Sequence, residues 1–387
     1  MAGVTVRYGG QSAQLKEIRA CDEDQARWSF SSQQATLRRL DKAFVAFFRR
    51  ARVGERPGYP RFKGAGWFDT VEWPKDGDGC RWDSQPDRPT TRVRLQGVGH
   101  VKVHRHRPVA GRVKTVSVKR EGRRWYVVLS CDDVPAMPLP ATGAVVGVDL
   151  GVASLATTSD GRHYGNPRFL KRAAGQLTAA QRDLARKKHR SKRRRKAVAR
   201  LAARHRKVRR QRLDLAHKAA LTLVRDHDVI AAEALNIAGM TRRARARPDP
   251  DYPGRFLPNG QSAKAGLNRK ILASCWGRID AFLRYKAAKQ NKLVGKVPAR
   301  NTSRGCSRCG HIHADNRDAG RFVCVRCGFT LHADHNAGIN IRTRGIEALR
   351  DGAFSVGKPK KRVAFRRKNR STTGGTPGSC LWSECKT

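Results

Sequence analysis

"AVVGVDLGVASLATTSDGRHY", residues 144–164, reads as two or three short strands with turns at Gly151 and Asp160-Gly161. Val145, Val146 and Val148 make the first of them a buried-looking strand, and Asp149 ends it. An acid in such a strand costs several kcal/mol unless it is paired or metal-bound. "DVIAAEAL" (228–235) repeats the situation: a short apolar run, read as a buried strand, with Glu233 inside it. A third acid, Asp334, stands in "CVRCGFTLHADHNAGINI" (324–341), seven residues beyond a metal-type cysteine pair.

Each acid has a plain reading. Asp149 and Glu233 fit structural roles in their strands, and Asp334 fits the N-cap of a helix. Taken together they fit an RNase H-like arrangement, with carboxylates on a first strand, a later neighbouring strand and a final helix. Phosphodiester hydrolysis explains the residue type. It needs an activated water and a neutralised leaving oxygen, which two hard cations about 4 Å apart supply, and hard cations take carboxylate oxygens.

Cys306-x2-Cys309 and Cys324-x2-Cys327 are separated by 14 residues, and each pair is followed by glycine. Two such pairs close together read as one tetrahedral zinc site rather than two unrelated redox pairs, and four cysteine ligands leave no open position, so the ion would be structural. His311, His313, His332 and His335 lie nearby and read as surface or packing residues.

Charge sets the partner. The chain has 387 residues, with 82 Lys and Arg against 31 Asp and Glu, a surplus of 51. A small acidic substrate needs only a few cations; this surplus implies a polyanion touched over a long path, and nucleic acid is the natural one. A merely basic, ribosome-like protein is the alternative. From Arg182 to Arg212, 17 of 31 residues are Lys or Arg. Lys187, Lys188, Arg190, Lys192, Arg193, Arg194, Arg195 and Lys196 are the candidate backbone contacts. No apolar run of ~18 residues spans a membrane, and "MAGVTVRYGGQ" is no signal peptide. We expect an intracellular protein.

The rest of the chain gives organisation. Residues 31–51 read as a helix capped by Ser31 or Ser32, with Leu37, Leu40, Phe44, Phe47 and Phe48 on one stripe. Residues 67 to about 140 alternate as strands, with a hairpin at Glu121-Gly122, and fit a small β-barrel. Tyr59, Trp67, Phe68 and Trp73 are stacking candidates, although aromatic core explains them as well. Residues 170–225 read as a helical hairpin with a seam at Leu201, Val208 and Leu215. Residues 267–291 read as one helix with Leu267, Ile271, Cys275, Ile279 and Phe282 on its core stripe. The basic tail from 346 reads as disordered, and its "KPKKR" (358–362) as a chance match to a localisation signal.

"GVDLGVASLATTSDG", "VIAAEALNIAGM", "NTSRGCSRCGHIHADN" and "CGFTLHADHNAGINI" resemble, in order, the first and second RuvC motifs, the zinc-ribbon insertion and the third RuvC motif of the TnpB (OrfB-type) family. These are transposon-encoded RNA-guided DNA endonucleases, relatives of type V CRISPR effectors. "QQATLRRLDKAFVAFFRR" and "RPGYPRFKG" resemble its N-terminal half, so the likeness covers about residues 11–345. It implies an α/β multidomain protein: a truncated helical recognition segment (1–52), a β-barrel wedge domain (53–141), an RNase H-like RuvC domain (142–302), a zinc ribbon that binds target nucleic acid (303–331), a final RuvC helix (332–345) and a tail (346–387). It implies Asp149, Glu233 and Asp334 as a catalytic triad holding Mg²⁺, two ions by family habit. Zn²⁺ is expected in the ribbon. Guide RNA and double-stranded target DNA are the expected partners, with functional association to a transposase of the same element. The basic hairpin is expected to cradle the guide–target heteroduplex. The stretch matched by "GGQSAQLKEI" comes early, and we expect the chain to be N-terminally incomplete and its barrel to lack a strand. The rival readings are a DNA-binding regulator without efficient cleavage, a stand-alone CRISPR effector, and a strand-transfer transposase.

Overall fold

Ser29 starts the first long helix. The computed structural model describes residues 7–62, 64, 67–83 and 90–354, and it begins with α1 (Tyr8–Cys21), α2 (Glu23–Ala26) and α3 (Phe30–Arg52). The Ser29 hydroxyl accepts the Ser32 N–H, so neither Ser31 nor Ser32 is the cap. The apolar stripe of α3 is not core: Ser32 and Ala35 are its buried residues, and Phe48 is 53% exposed. Phe44 and Phe47 instead pack edge-on against Tyr59, which folds back from the Gly-Pro turn.

Six strands follow: β1 (Thr70–Trp73), β2 (Cys80–Asp83), β3 (Thr90–Leu95), β4 (Gly99–His104), β5 (Arg112–Glu121) and β6 (Arg124–Asp132). They form two antiparallel sheets, ordered β1-β5-β6 and β2-β3-β4. In β3, Thr91, Val93 and Leu95 turn inward and Arg92 and Arg94 outward, the period of two that covers one face. Both sheets share a core of Trp73, Cys80, Val93, Leu95 and Val116. The sequence fits a small β-barrel that lacks a strand; among the described residues no backbone ladder joins the two sheets, and β4 and β6 each stand at an edge. Trp73 is buried, whereas Tyr59, Trp67 and Phe68 are exposed.

The second half is built on one five-stranded sheet. Its elements are β7 (Val145–Asp149), β8 (Ser154–Thr158), β9 (His163–Gly165), α4 (Phe169–Ala185), α5 (Lys192–Asp226), β10 (Val229–Glu233), α6 (Ile237–Met240), α7 (Gln261–Ala273), α8 (Trp276–Lys289) and β11 (Leu293–Val297). The order is β11-β10-β7-β8-β9, parallel across β11, β10 and β7 and antiparallel across β7, β8 and β9. Val146, Val148 and Ile230 pack beneath Leu223 of α5 and Ile279 and Leu283 of α8. The helix expected over 267–291 is broken. Cys275 takes a left-handed φ of 57°, and the Ser274 hydroxyl turns back to the Lys270 carbonyl. The break lets Trp276 donate its indole N–H to the Gly151 carbonyl. Lys292, buried at the start of β11, pairs with Asp228 and donates to the Pro140 carbonyl; Asp228 also accepts the Thr142 and Gly143 N–H groups.

The chain then forms a small sheet, β12 (Arg317–Asp318), β13 (Arg321–Val323) and β14 (Thr330–His332), and returns through α9 (Ala333–Arg350) to the other face of the large sheet. Ile341 of α9 packs there with Ala231 and Val297. The helix runs past 345, where a disordered tail was expected, because Gly345 lies against Ala231 and the chain beyond it brings Phe354 onto the same cluster. The remainder of that tail, with "KPKKR", lies outside the described residues. Among the described residues no helix is long and apolar enough to cross a membrane.

Candidate active site

Register and alternation bring two acids to one corner. Parallel pairing sets Val229 beside Val145 and Ala232 beside Val148, so Glu233 and Asp149 come next at the carboxyl ends of adjacent strands. Val146, Val148, Ile230 and Ala232 turn toward α5 and α8, and Ala231 turns toward α9. Asp149 and Glu233 share the parity of Gly147 and Ala231 and therefore stand on the α9 face.

Glycine allows α9 to come close enough. A Cβ on Gly147 would lie 2.1 Å from the Gly338 carbonyl oxygen, and one on Gly345 would lie 2.4 Å from the Ala231 Cβ. The close approach carries the first turn of α9, with Asp334, toward the strand ends. Asp334 is not the N-cap, because His332 Nδ1 accepts its backbone N–H at 3.3 Å. Its Oδ1 accepts instead from Arg317 Nη2 of β12 at 2.9 Å.

The acids feel one another. Burial, then the neighbouring Glu233 and Asp334 carboxylates, push the Asp149 carboxyl up to about 7 against the pull of Arg317. Burial also raises Glu233; the Thr302 hydroxyl, which donates to its Oε1 at 2.5 Å, and the Lys296, Arg344 and Arg317 cations act in the opposite sense. Clustered like charges that resist ionisation in this way suit a bound cation. Their oxygens are spread more widely than a closed cage would require. Among the described residues, only the four cysteines bring three or more such ligand atoms within 4.8 Å of one another. Mg²⁺ keeps several waters and uses few protein ligands, so holding it would not require a closed cage.

The cysteines of the ribbon are closer. Cys306 and Cys327 Sγ lie 3.7 Å apart, Cys309 and Cys324 Sγ 3.6 Å, and all four thiols are free. A tetrahedral ion with Zn–S bonds of about 2.3 Å separates its sulfurs by about 3.8 Å. Two equivalent turns build the site. Gly310 and Gly328, at φ of 73° and 69°, donate back to the Cys306 and Cys324 carbonyls. Phe322 fills the small core beneath them. Asn336 and Asn340, four residues apart on α9, donate to the Gly305 carbonyl and fasten the ribbon to the helix.

The basic hairpin is used unevenly. Lys188, Arg190, Lys192, Arg193, Arg195 and Lys196 are exposed. Arg194 is half-buried and donates to the Leu184 and Lys187 carbonyls, closing the α4–α5 turn, and Lys187 pairs with Asp183 at 2.9 Å. Sequence reasoning missed Arg317, Thr302, Asn336 and Asn340. Arg317 is hidden among 82 basic residues; the two asparagines carried a signal in their helical spacing, next to Asp334.

Comparison with known proteins places the chain. The family described as "OrfB_IS605: Probable transposase" matches residues 116–244, and the "Cas12f1-like, TNB domain" matches 276–341. The chain is 31% identical over 360 residues to "Putative RNA-guided DNA endonuclease InsQ" of Escherichia coli (strain K12), covering 92% of this chain and 85% of that one. It is 30% identical over 348 residues to a "Putative RNA-guided DNA endonuclease" of Streptomyces pristinaespiralis, covering 89% and 79%. A third relative, MT2953 of Mycobacterium tuberculosis (strain CDC 1551 / Oshkosh), bears the same description at 27% identity over 347 residues, covering 84% and 69%. With likeness of this extent and in this order of motifs, the chain belongs to the TnpB (OrfB-type) family.

Proposed function

We propose that the protein is an RNA-guided DNA endonuclease whose nuclease centre is Asp149, Glu233 and Asp334. One observation carries the reading: the β7–β10 register puts two acids side by side on the face against which α9 packs, and the repulsion felt by Asp149 includes the Asp334 of that helix. The three carboxylates would hold Mg²⁺, which supplies charge neutralisation and water activation for phosphodiester hydrolysis when bound. The chain's own groups set the stage. Thr302 holds the Glu233 carboxylate in one orientation, and Arg317 holds that of Asp334 while leaving part of its own charge for a scissile phosphate.

Cys306, Cys309, Cys324 and Cys327 would hold a structural Zn²⁺. Its work is positional, because the ribbon strand β12 carries Arg317 to Asp334. The guide RNA supplies sequence recognition by base pairing, and the exposed cations of the α4–α5 hairpin hold backbone phosphates without reading bases. The names of the relatives support the RNA and DNA partners. Sequencing the RNA that co-purifies with the protein tests the guide. A discrete RNA species with a defined end is expected; a random sample of cellular RNA would reject the guided reading.

A further inference from the structure

The hairpin that joins β5 to β6 does not end in solvent. Its tip, Glu121-Gly122-Arg123-Arg124, meets α5 well beyond the basic turn at 187–196. Gly122 has a φ of 68°, and a Cβ there would sit 2.6 Å from the Arg206 guanidinium, so the Arg206 side chain of α5 reaches over the turn. Glu121, with its side chain only 18% exposed, accepts from both Arg209 and Arg210, the latter at 2.6 Å. The same Arg210 nitrogen also donates to the Tyr126 hydroxyl at 2.6 Å.

Beside this contact lies a cavity of about 410 Å³. Arg123 and Arg124 line it from the hairpin, and Arg206, Lys207 and Arg210 line it from one stripe of α5. Five cations thus face a space whose one carboxylate is Glu121. Among the described residues, Arg123, Arg124, Arg206 and Lys207 form no ion pair. Cations crowded in this way repel one another, and a polyanion is the counter-charge that relieves them. A carboxylate presents two oxygens to an arginine fork much as a phosphodiester presents its two free oxygens.

We infer that this junction is a phosphodiester-binding site shared between the hairpin and α5, in which Glu121 holds Arg209 and Arg210 until a backbone phosphate displaces it. The inference rests on the nucleic-acid reading above and adds a second contact surface, distinct from the α4–α5 turn. Because its cations come from two parts of the fold, an occupied site ties the antiparallel sheets to the nuclease sheet.

The test uses the full chain and two fluorescent probes, a 20-nucleotide single-stranded RNA and a 20-base-pair DNA duplex, titrated from 50 to 300 mM KCl. The combined variant Arg124→Ala, Arg206→Ala, Lys207→Ala should weaken binding about tenfold or more. It should also flatten the slope of log K against log salt by about 2, at roughly 0.7–0.9 per lost contact. Loss with RNA alone assigns the site to the guide, and loss with the duplex alone assigns it to the target. Glu121→Gln, a conservative change, should tighten binding about threefold at low salt, with the gain fading as salt rises. An unchanged slope in the combined variant, or weaker binding by Glu121→Gln, would overturn the inference. If the unmodified chain binds neither probe, the nucleic-acid reading itself fails. If Arg190→Ala, Arg193→Ala, Arg195→Ala weakens binding and the junction variant does not, this inference alone fails.

Discussion

Asp149 sits where three forces meet. Burial and two neighbouring acids push its carboxyl up to about 7 from the ordinary 3.8, so at neutral pH the metal-free fold strains against its ionisation. A carboxyl with a raised folded value favours the fold below its unfolded value, and that contribution is lost as the pH rises through the folded value. Without added Mg²⁺ the thermal midpoint should therefore fall between about pH 4 and 7, and Asp149→Asn should flatten the fall. Equal slopes in the two proteins would show that Asp149 does not carry it. Gly147 makes a second residue-scale test. Its missing Cβ admits the Gly338 carbonyl, so Gly147→Ala must push α9 off the sheet, at about 1–3 kcal/mol. We expect a lower denaturation midpoint with zinc content unchanged. Asp149 and Glu233 stood out in the sequence because a carboxylate in an apolar run is costly enough to demand a reason, whereas Asp334 stands in a polar stretch and also fitted a helix cap. Arg317 was not, because nothing local separates one arginine of the ribbon from the many that face solvent, and only the fold aims it at Asp334.

Elements were legible where periodicity and partner agreed. The strands at Asp149 and Glu233 and the long helical hairpin appear where their patterns put them. The stripe of α3 has the helical period, yet Leu40 and Phe48 are exposed, because a period names a face and not what covers it. The break at Cys275 has no proline, and its nearest glycine, Gly277, lies inside α8; it arises from tertiary contacts of Ser274 and Trp276. The two β-sheets show the same limit, since alternation marks strands and says nothing of whether their outer edges close. Two element-scale outcomes follow. Metal analysis should find one zinc in the unmodified chain and none in Cys309→Ser, and residues 303–331 of the variant should become sensitive to protease, because thiolate ligation contributes to folding such a module. Retained zinc would count against a site built from all four cysteines. Asp228→Asn should cost about 3 kcal/mol in urea unfolding, because it leaves the Lys292 ammonium buried without its carboxylate at the entry to the large sheet. A change under about 0.5 kcal/mol would mean that the carbonyl of Pro140 suffices for Lys292.

At the scale of the whole molecule, a surplus of 51 charges and a corner of three acids have to coexist. The fold separates them. The exposed cations of the α4–α5 turn and the cations of the junction lie on α5 and the β5–β6 hairpin, and the acids stand between the sheet ends, α9 and the ribbon. Charge composition was enough to expect a polyanionic partner; where the cations and the acids lie needed the fold. The central claim is that the enclosed acids cut DNA chosen by an RNA held elsewhere. The most direct measurement is single-turnover cleavage of a plasmid matched to the co-purified RNA, with Mg²⁺ or EDTA, by the unmodified chain and by Asp149→Ala, Glu233→Ala and Asp334→Ala. The account predicts cutting only with Mg²⁺, and a loss of about a thousandfold in each variant while the variants retain RNA and bind the target within about twofold. Cleavage at the unmodified rate by any of the three, or undiminished cleavage in EDTA, would contradict it.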